Sequence, residues 1–346
     1  MTATTTHLGT RAPAHTAALR WKRARGLAWV TWRQQRTAYV TTAAVLGGLA
    51  VLLLVNGLAM HSNYRDVGLS SCGALDENRC QVPLGLFEAN YQSWAQYIPR
   101  FVIFVPGLLA AFVAAPLIAR EVESGTYRFA WTQSRSRSSW LAAKVVLVLV
   151  PIALAAVGFS ALFAWWFAPF TPLMGRMSIG QAYEVSGTVF AARTAFGLAL
   201  GLLFGAVLRR VVAAMAVTLA LWVATVWVSM VYLRPVIEHP LDLPAHSSLI
   251  TRGGWTVSEY FRGPSGAHLA NKGAAFAHLY AQAQHDGVND STTFIAWLTR
   301  HGYLQYVTYQ PEQRFWHFQL IESGGYLTVT LVIIATLFWW IRKHID

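Results

Sequence analysis

The residues best suited to a specific interaction lie just after a strongly apolar run, in the segment 115–144. Glu121, Glu123, Gly125 and Thr126 form the pattern E-x-E-x-G-T, and basic residues that include Arg128 follow. Carboxylates followed by a glycine, which permits a tight turn, predict a short amphiphilic element where the chain leaves the apolar run. Such an element can dock on a soluble partner. A solvated loop rich in positive charge has the same composition, so the residues alone leave both interpretations open.

Motifs for catalysis and nucleotide binding do not occur in the sequence. It contains no HExxH, no GxSxG and no GxxxxGK[ST]. Within the apolar runs the ionisable residues are chiefly Lys144 and Arg193. We expect Lys144 to snorkel, and Arg193 either to snorkel or to pair with a carboxylate such as Glu184. The sequence therefore predicts a protein that is not an enzyme and holds no metal, and any ATP that drives it must bind another chain.

The composition places the chain among membrane proteins. Hydrophobic residues make up 55% of it and charged residues 12%, and the mean hydropathy is +0.40. Soluble domains carry about 25% charged residues. The net charge of +12 comes from short basic blocks beside apolar runs, which is typical of topology signals and of contact with anionic lipids rather than of nucleic-acid binding.

Six apolar runs approach or exceed the length needed to cross a bilayer as a helix. The fourth and fifth runs are separated only by Arg209 and Arg210. One helix through both would bury two arginines in the bilayer, so a tight hairpin is expected there. We predict an all-α integral membrane protein with six transmembrane helices: Tyr39–Met60, Phe101–Ala119, Leu141–Phe167, Val189–Leu208, Val211–Leu233 and Tyr326–Ile341.

The distribution of basic residues predicts the orientation of these helices. Residues 1–37 contain seven Lys or Arg and no Asp or Glu, and the loop around 120–140 is also basic. The alternate loops, 61–100 and 234–324, are balanced or acidic. By the positive-inside rule, both termini and the loop 120–140 are expected in the cytoplasm of a multi-pass plasma membrane protein.

The sequence predicts five regions along the chain. Residues 1–19 are predicted to be a disordered tail, and residues 20–37 an interfacial amphipathic helix that carries Trp29, Trp32 and Arg33. Residues 38–233 hold the first five spans, and residues 325–346 hold the sixth span and a short tail. Residues 234–324 are too many for a simple connection and predict an extracytoplasmic domain. Two helices are expected in it, at 267–284 and 291–300.

Two further groups of residues have structural interpretations. Cys72 and Cys80 lie close together in the loop predicted to be outside the cell, so they form either a local disulfide or two free thiols. Gly197, Gly201 and Gly205 recur every four residues and share one helix face, which lets another helix approach closely. That helix belongs either to the same chain or to a second copy across a dimer seam.

The segment around the E-x-E-x-G-T pattern resembles the first cytoplasmic loop of type-2 ATP-binding-cassette exporter permeases. It is most similar to a subgroup from high-GC Gram-positive bacteria. The residues that carry the resemblance are Ala119, Arg120, Glu121, Glu123, Gly125, Thr126, Ala130, Trp131, Thr132, Gln133, Ser134, Arg137, Trp140, Leu141 and Lys144. Residues 29–34 are similar to the family's entry helix, and residues 208–219 to its tight turn between spans four and five. No segment of 234–324 is matched.

The resemblance implies a mechanism and a set of partners. Arg120, Glu121, Glu123, Gly125, Thr126 and Arg128 would belong to a coupling helix seated in a cleft of an ATPase subunit. Two ATPase subunits would bind ATP and Mg, and a second permease chain, identical or related, would complete the transporter. The cargo would be a hydrophobic or amphiphilic compound moved out of a bacterial cell. Two alternatives are a sensor or assembly factor with an outer ligand-binding domain, and a lipid-modifying membrane enzyme.

Overall fold

Six long apolar helices form the body of the protein, in agreement with the predicted number. The computed structural model describes residues 14–72, 78–126, 136–177, 182–246, 253–270 and 273–344; for 14–35, 37–38, 78–79 and 270 it describes the backbone only. The membrane-spanning segments are Tyr39–Asp66 (span 1), Cys80–Glu123 (span 2), Arg137–Met174 (span 3), Val189–Leu208 (span 4), Val211–Val236 (span 5) and Glu312–His344 (span 6).

Span 1 continues a helix that starts well before the apolar run. One helix covers Ala14–Asp66. It begins inside the predicted disordered tail 1–19, of which residues 1–13 lie outside the described residues, so the predicted boundary is corrected. The segment 20–37 is helical as predicted, but it is continuous with span 1 rather than a separate helix. No proline lies between positions 13 and 83 to break the helix. The side chains of Trp29, Trp32 and Arg33 are outside the described ones.

Span 2 is longer than predicted and is interrupted. Its helices are Asn78–Val102, Val105–Leu109 and Ala115–Glu123, with a π-helical turn at Ala110–Ala114. Most of the first helix falls in 61–100, which we expected to be a loop. The sequence analysis missed this helix because it contains two prolines, Pro83 and Pro99, which argue against a helix interior. A disulfide between Cys72 and Cys80 joins the turn after span 1 to this helix.

Span 4 is the centre of the bundle, and spans 2, 3, 5 and 6 pack around it. Its glycine face lies against residues 110–119 of span 2. A Cβ added to Gly201 would come within 2.5 Å of the Ala110 carbonyl oxygen, and one added to Gly205 within 2.5 Å of the Ala115 carbonyl oxygen. Because the same chain covers this face, the structure favours the first of the two interpretations, packing within the protomer.

The bundle has two distinct ends. At the basic end, Arg209 and Arg210 form the expected hairpin between spans 4 and 5, and Arg209 adopts a left-handed conformation with φ 55°. The Arg209 guanidinium donates to the His344 carbonyl at 2.7 Å, and Arg342 donates to the Ser138 hydroxyl at 3.0 Å. At the opposite end, called the sheet end here, spans 5 and 6 lead into a small α+β domain.

This domain contains a sheet that the sequence analysis did not predict. Its strands are β1 (Leu241–Pro244), β2 (Trp255–Arg262), β3 (His268–Ala270) and β4 (Leu304–Gln310), in the antiparallel order β1-β4-β2-β3. Two helices, Ala274–His285 and Ser291–Arg300, pack on it through a core that includes Phe261, Phe294 and Leu298. The second helix has the predicted bounds, and the Asp290 side chain caps it. The first begins seven residues later than predicted because the chain first forms β3.

The remaining short elements connect these helices. They are the helices Thr171–Met174 and Ala182–Val185 between spans 3 and 4, and a π-helical turn at Ser229–Leu233 after the helix Val211–Val228 of span 5. The main helices of spans 3 and 6 are Arg137–Phe167 and Phe315–His344. Single turns of 3₁₀-helix lie at Leu69–Ser71, Ala168–Phe170, Arg234–Val236 and Glu312–Arg314.

Candidate functional site

A compact turn ends span 2 at the basic end of the bundle. The helix Ala115–Glu123 stops at Ser124, and Gly125 follows with φ +69°, the left-handed conformation that commonly closes a helix C-terminus. The Ser124 hydroxyl donates to the Arg120 carbonyl at 2.7 Å. It also lies 3.0 Å from the Thr126 hydroxyl. These contacts make residues 124–126 a small, ordered tip, and the side chains of Ser124 and Thr126 are exposed.

Glu121 attaches this turn to span 3. Its carboxylate lies 2.5 Å from the Lys144 ammonium, and the two side chains are 14% and 4% exposed. Lys144 also stacks over the Trp140 ring at 4.7 Å. Lys144 was expected to snorkel, but this buried ion pair holds it instead. Glu121 therefore acts as an internal tether.

Glu123 attaches the turn to span 5. Its carboxylate accepts a hydrogen bond from the Val211 backbone N–H at 3.0 Å. Val211 is the first residue of the helix Val211–Val228, whose first N–H groups have no partner within the helix and carry partial positive charge. A carboxylate at that place stabilises the helix start. The end of span 2 is thus connected to spans 3 and 5 by two separate carboxylates.

The residues predicted as one docking set divide into two groups. Glu121, which is half-buried, and Glu123, which is exposed, both bond to their own chain. Arg120 and Thr126 are exposed and Gly125 is half-buried. Arg128 lies outside the described residues. The sequence analysis missed Ser124, although a hydroxyl directly before a glycine at a helix end is a recognisable signal.

A cluster of four buried charges lies at the sheet end. Arg193 of span 4 pairs with both Glu184 and Glu322, and Arg234 at the end of span 5 lies 2.5 Å from Glu184 and 3.1 Å from Glu322. Each of the four side chains is at most 4% exposed. Because two guanidiniums face two carboxylates, the cluster has no net charge.

Neighbouring side chains add hydrogen bonds to this cluster. The Tyr183 hydroxyl and the Ser229 hydroxyl each donate to Glu322 at 3.1 Å. Arg234 lies 4.1 Å from the centre of the Tyr183 ring. Burial alone would raise the pKa of Glu184, but the guanidiniums of Arg193 and Arg234 outweigh it and lower that pKa to about 2. The carboxylate therefore stays ionised over the physiological pH range.

The sequence analysis predicted two of the four charged residues of this cluster. The expected pairing of Arg193 with Glu184 is present. Arg234 and Glu322 were missed because the first directly follows the predicted end of span 5 and the second precedes the predicted start of span 6. Neither position signals a partner, since residues 184 and 322 meet only through the packing of spans 4, 5 and 6. Among the described residues, no group of three His, Cys, Asp or Glu side chains is placed to hold a metal ion.

Comparison with known proteins yields one match. The family model described as ABC-2 membrane transporter related matches residues 43–234, more than half of the chain. The matched region includes the turn at 121–126 and both arginines of the charge cluster, and it ends where the α+β domain begins. No curated protein and no solved structure matches the chain.

Proposed function

Because the chain belongs to the ABC-2 membrane transporter-related family, we propose that it is the transmembrane permease subunit of an ATP-driven exporter in a bacterial plasma membrane. Family membership and six apolar helices make it a multi-pass component of a membrane transporter. The proposal that the chain is a permease subunit coupled to an ATPase rests on one observation, the tip 124–126. It is exposed, ordered and attached to spans 3 and 5 by Glu121 and Glu123.

ATP hydrolysis belongs to partner subunits in this proposal. The sequence contains no phosphate-binding GxxxxGK[ST] motif, so two ATPase subunits bind ATP and Mg. A second permease chain, identical or related, completes the transporter. The basic end faces the cytoplasm, because the Lys and Arg of residues 1–37, 209–210 and 342–343 all belong to that side.

The two tethers explain how a partner's movement reaches the spans. A force on the tip acts on span 2 directly, on span 3 through the Glu121–Lys144 ion pair, and on span 5 through Glu123 and Val211. ATP binding shifts the transporter between arrangements only as far as it favours one of them. Because the tethers are short and one is buried, the ends of these three spans move together.

The cargo we propose is hydrophobic or amphiphilic. In the described part of the spans, the buried charged side chains are paired with one another: Lys144 with Glu121, and the two arginines of the cluster with Glu184 and Glu322. Such groups do not attract a charged compound. A strongly charged molecule found as the transported species would contradict this part of the proposal.

Docking on an ATPase is tested at the exposed tip. Thr126→Trp places a large ring where the partner would bind, and Thr292→Trp makes the same change at an exposed position of the α+β domain. We expect Thr126→Trp to weaken co-purification with a separately encoded ATPase by about tenfold or more, the effect of losing one interface contact worth about 1.4 kcal/mol. The control variant should leave it unchanged. If the two variants behave alike, the docking assignment is wrong.

The orientation is tested by labelling thiols on intact cells. Cys72 and Cys80 are joined in a disulfide, so Thr126→Cys and Thr292→Cys each introduce a single free thiol. A membrane-impermeant maleimide should label Cys at position 292 in intact cells and reach position 126 only after lysis. Labelling of position 126 in intact cells would place the tip outside, where no ATPase could reach it.

A further inference from the structure

Four exposed cations from two segments meet at the basic end of the bundle. Arg209 and Arg210 form the hairpin between spans 4 and 5, and Arg342 and Lys343 lie in the last turn of span 6. The two segments are in direct contact, since the Arg209 guanidinium donates at 2.7 Å to the carbonyl of His344, the last residue of the span 6 helix. These four cations are called the basic patch here.

Ion pairs do not neutralise the basic patch within the described part of the chain. The acidic side chains described at this end, Glu121 and Glu123, already have partners in spans 3 and 5. Arg209 donates to an uncharged carbonyl and Arg342 to the Ser138 hydroxyl at 3.0 Å, so these bonds leave both positive charges in place. A concentration of positive charge of this kind attracts an anionic ligand.

An aromatic side chain places the basic patch at the level of lipid headgroups. Trp339 lies one helical turn before Lys343 and is 53% exposed, and the Lys343 ammonium lies 5.4 Å from the centre of its ring. Tryptophan beside Lys or Arg at a helix end is typical of the membrane–water interface. Two turns further into span 6, Leu331 and Val332 are 68% and 61% exposed. The patch therefore lies where a headgroup and the acyl chains attached to it can both contact the protein.

We propose that the basic patch binds the headgroup of an anionic glycerophospholipid such as phosphatidylglycerol, with the acyl chains along the exposed apolar face of span 6. Guanidiniums donate paired hydrogen bonds to phosphate oxygens, and Lys343 adds a point charge. A soluble phosphate gains nothing from Trp339 and the apolar face, and a phosphatidylcholine head brings its own positive charge into a positive region. The inference needs only that the spans cross a bilayer, so it does not depend on docking of an ATPase.

Photo-labelling of the full-length chain tests this site. The protein is placed in phosphatidylcholine nanodiscs with increasing amounts of a phosphatidylglycerol that carries a diazirine in its headgroup, irradiated, digested with pepsin and analysed by mass spectrometry. We expect saturable adducts on residues 208–211 and 339–344, counted separately from adducts on the basic residues 1–37. Unlabelled phosphatidylglycerol should displace the probe, whereas inorganic phosphate at the same ionic strength should not. Adducts that do not saturate, or equal displacement by inorganic phosphate, would overturn the proposal.

Two double variants separate this site from a general loss of positive charge. Arg210→Gln with Lys343→Gln removes two charges of the patch, and Arg65→Gln with Arg100→Gln removes two exposed charges from the opposite half of the bundle. The half-saturating fraction of phosphatidylglycerol should rise about tenfold or more in the first variant, since each Lys or Arg near an anionic surface contributes about fivefold in affinity. It should stay unchanged in the second. Added phosphatidylglycerol should also raise the thermal midpoint of the second variant more than that of the first. Equal half-saturating fractions in the two variants would refute the site.

Discussion

Replacing Glu322 by glutamine tests whether the buried charge cluster holds spans 4, 5 and 6 together. Glutamine has nearly the same shape as glutamate but no charge, so the cluster changes from neutral to a net charge of +1. Arg193 and Arg234 then share the single carboxylate of Glu184. The new amide group also turns two donors toward guanidiniums and hydroxyls that are themselves donors.

The size of the effect follows from the burial of the cluster. Removing one partner of a buried ion pair costs about 3–5 kcal/mol, because the remaining charge stays in a medium that solvates it poorly. The Arg176–Glu312 pair is the matched control. Its atoms are 3.0 Å apart, but its side chains are 41% and 25% exposed. Exposed pairs contribute about 0–1 kcal/mol, so Glu312→Gln should cost at least about 2 kcal/mol less than Glu322→Gln.

Unfolding of the purified protein by SDS, followed by tryptophan fluorescence, measures both free energies in the same detergent. The double variant Arg193→Met with Glu322→Gln restores a neutral cluster, since the pair between Arg234 and Glu184 remains. Its free energy of unfolding should fall by less than the sum of the two single losses. If Glu322→Gln is no more destabilising than Glu312→Gln, the cluster does not hold the spans together and the reasoning fails.

Two further predictions concern packing and pH. Gly201→Ala should destabilise the protein by about 1–3 kcal/mol, since its Cβ meets the span 2 backbone. Gly158→Ala, in open space on span 3, should be neutral or stabilising by up to about 1 kcal/mol; equal thermal stabilities of the two variants would contradict this. Because the pKa of Glu184 is lowered to about 2 from its ordinary 4.5, its contribution is present above pH 4.5 and is lost as the pH falls toward 2. The thermal midpoint of the unmodified protein should therefore fall with pH below about pH 4.5 and be independent of the Glu184 titration near neutral pH. Glu184→Gln should have a lower midpoint near neutral pH and should lack this fall, and an equal fall in both proteins would contradict the prediction.

The features predicted correctly from sequence are those that depend on neighbouring residues. The six spans follow from the length of each apolar run, and the hairpin at Arg209 follows from two arginines between two such runs. The helix Ser291–Arg300 was predicted because Asp290 is a strong N-cap residue and Gly302 follows its end. In each case the residues that determine the element lie within it or directly beside it in the sequence.

The features that were missed depend on distant residues or on conflicting local signals. The helix Asn78–Val102 contains two prolines, which normally argue against a helix interior. Strand β2 has an irregular burial pattern and a register shift between Thr256 and Ser258, so it lacks the clean alternation that identifies a strand. No local signal indicates that Glu121 pairs with Lys144 or that Glu123 bonds to Val211, because these residues meet only through the packing of three spans.

The positions of the two candidate sites restrict how the bundle can move. Span 2 carries the tip at one end and packs its residues 110–119 against the glycine face of span 4, and Arg193 of span 4 joins the cluster that holds the ends of spans 5 and 6. The α+β domain is fixed to the same place, since Arg314 lies 2.7 Å from Glu238 and the Gln310 amide donates to the Glu238 carbonyl at 2.7 Å. Spans 4, 5 and 6 and this domain therefore form one continuous body. We expect a displacement of the tip to carry the tethered ends of spans 3 and 5 with it and to bend span 2 where the helix is interrupted at 103–104 and widens into the π turn Ala110–Ala114, because fewer regular backbone hydrogen bonds have to break there.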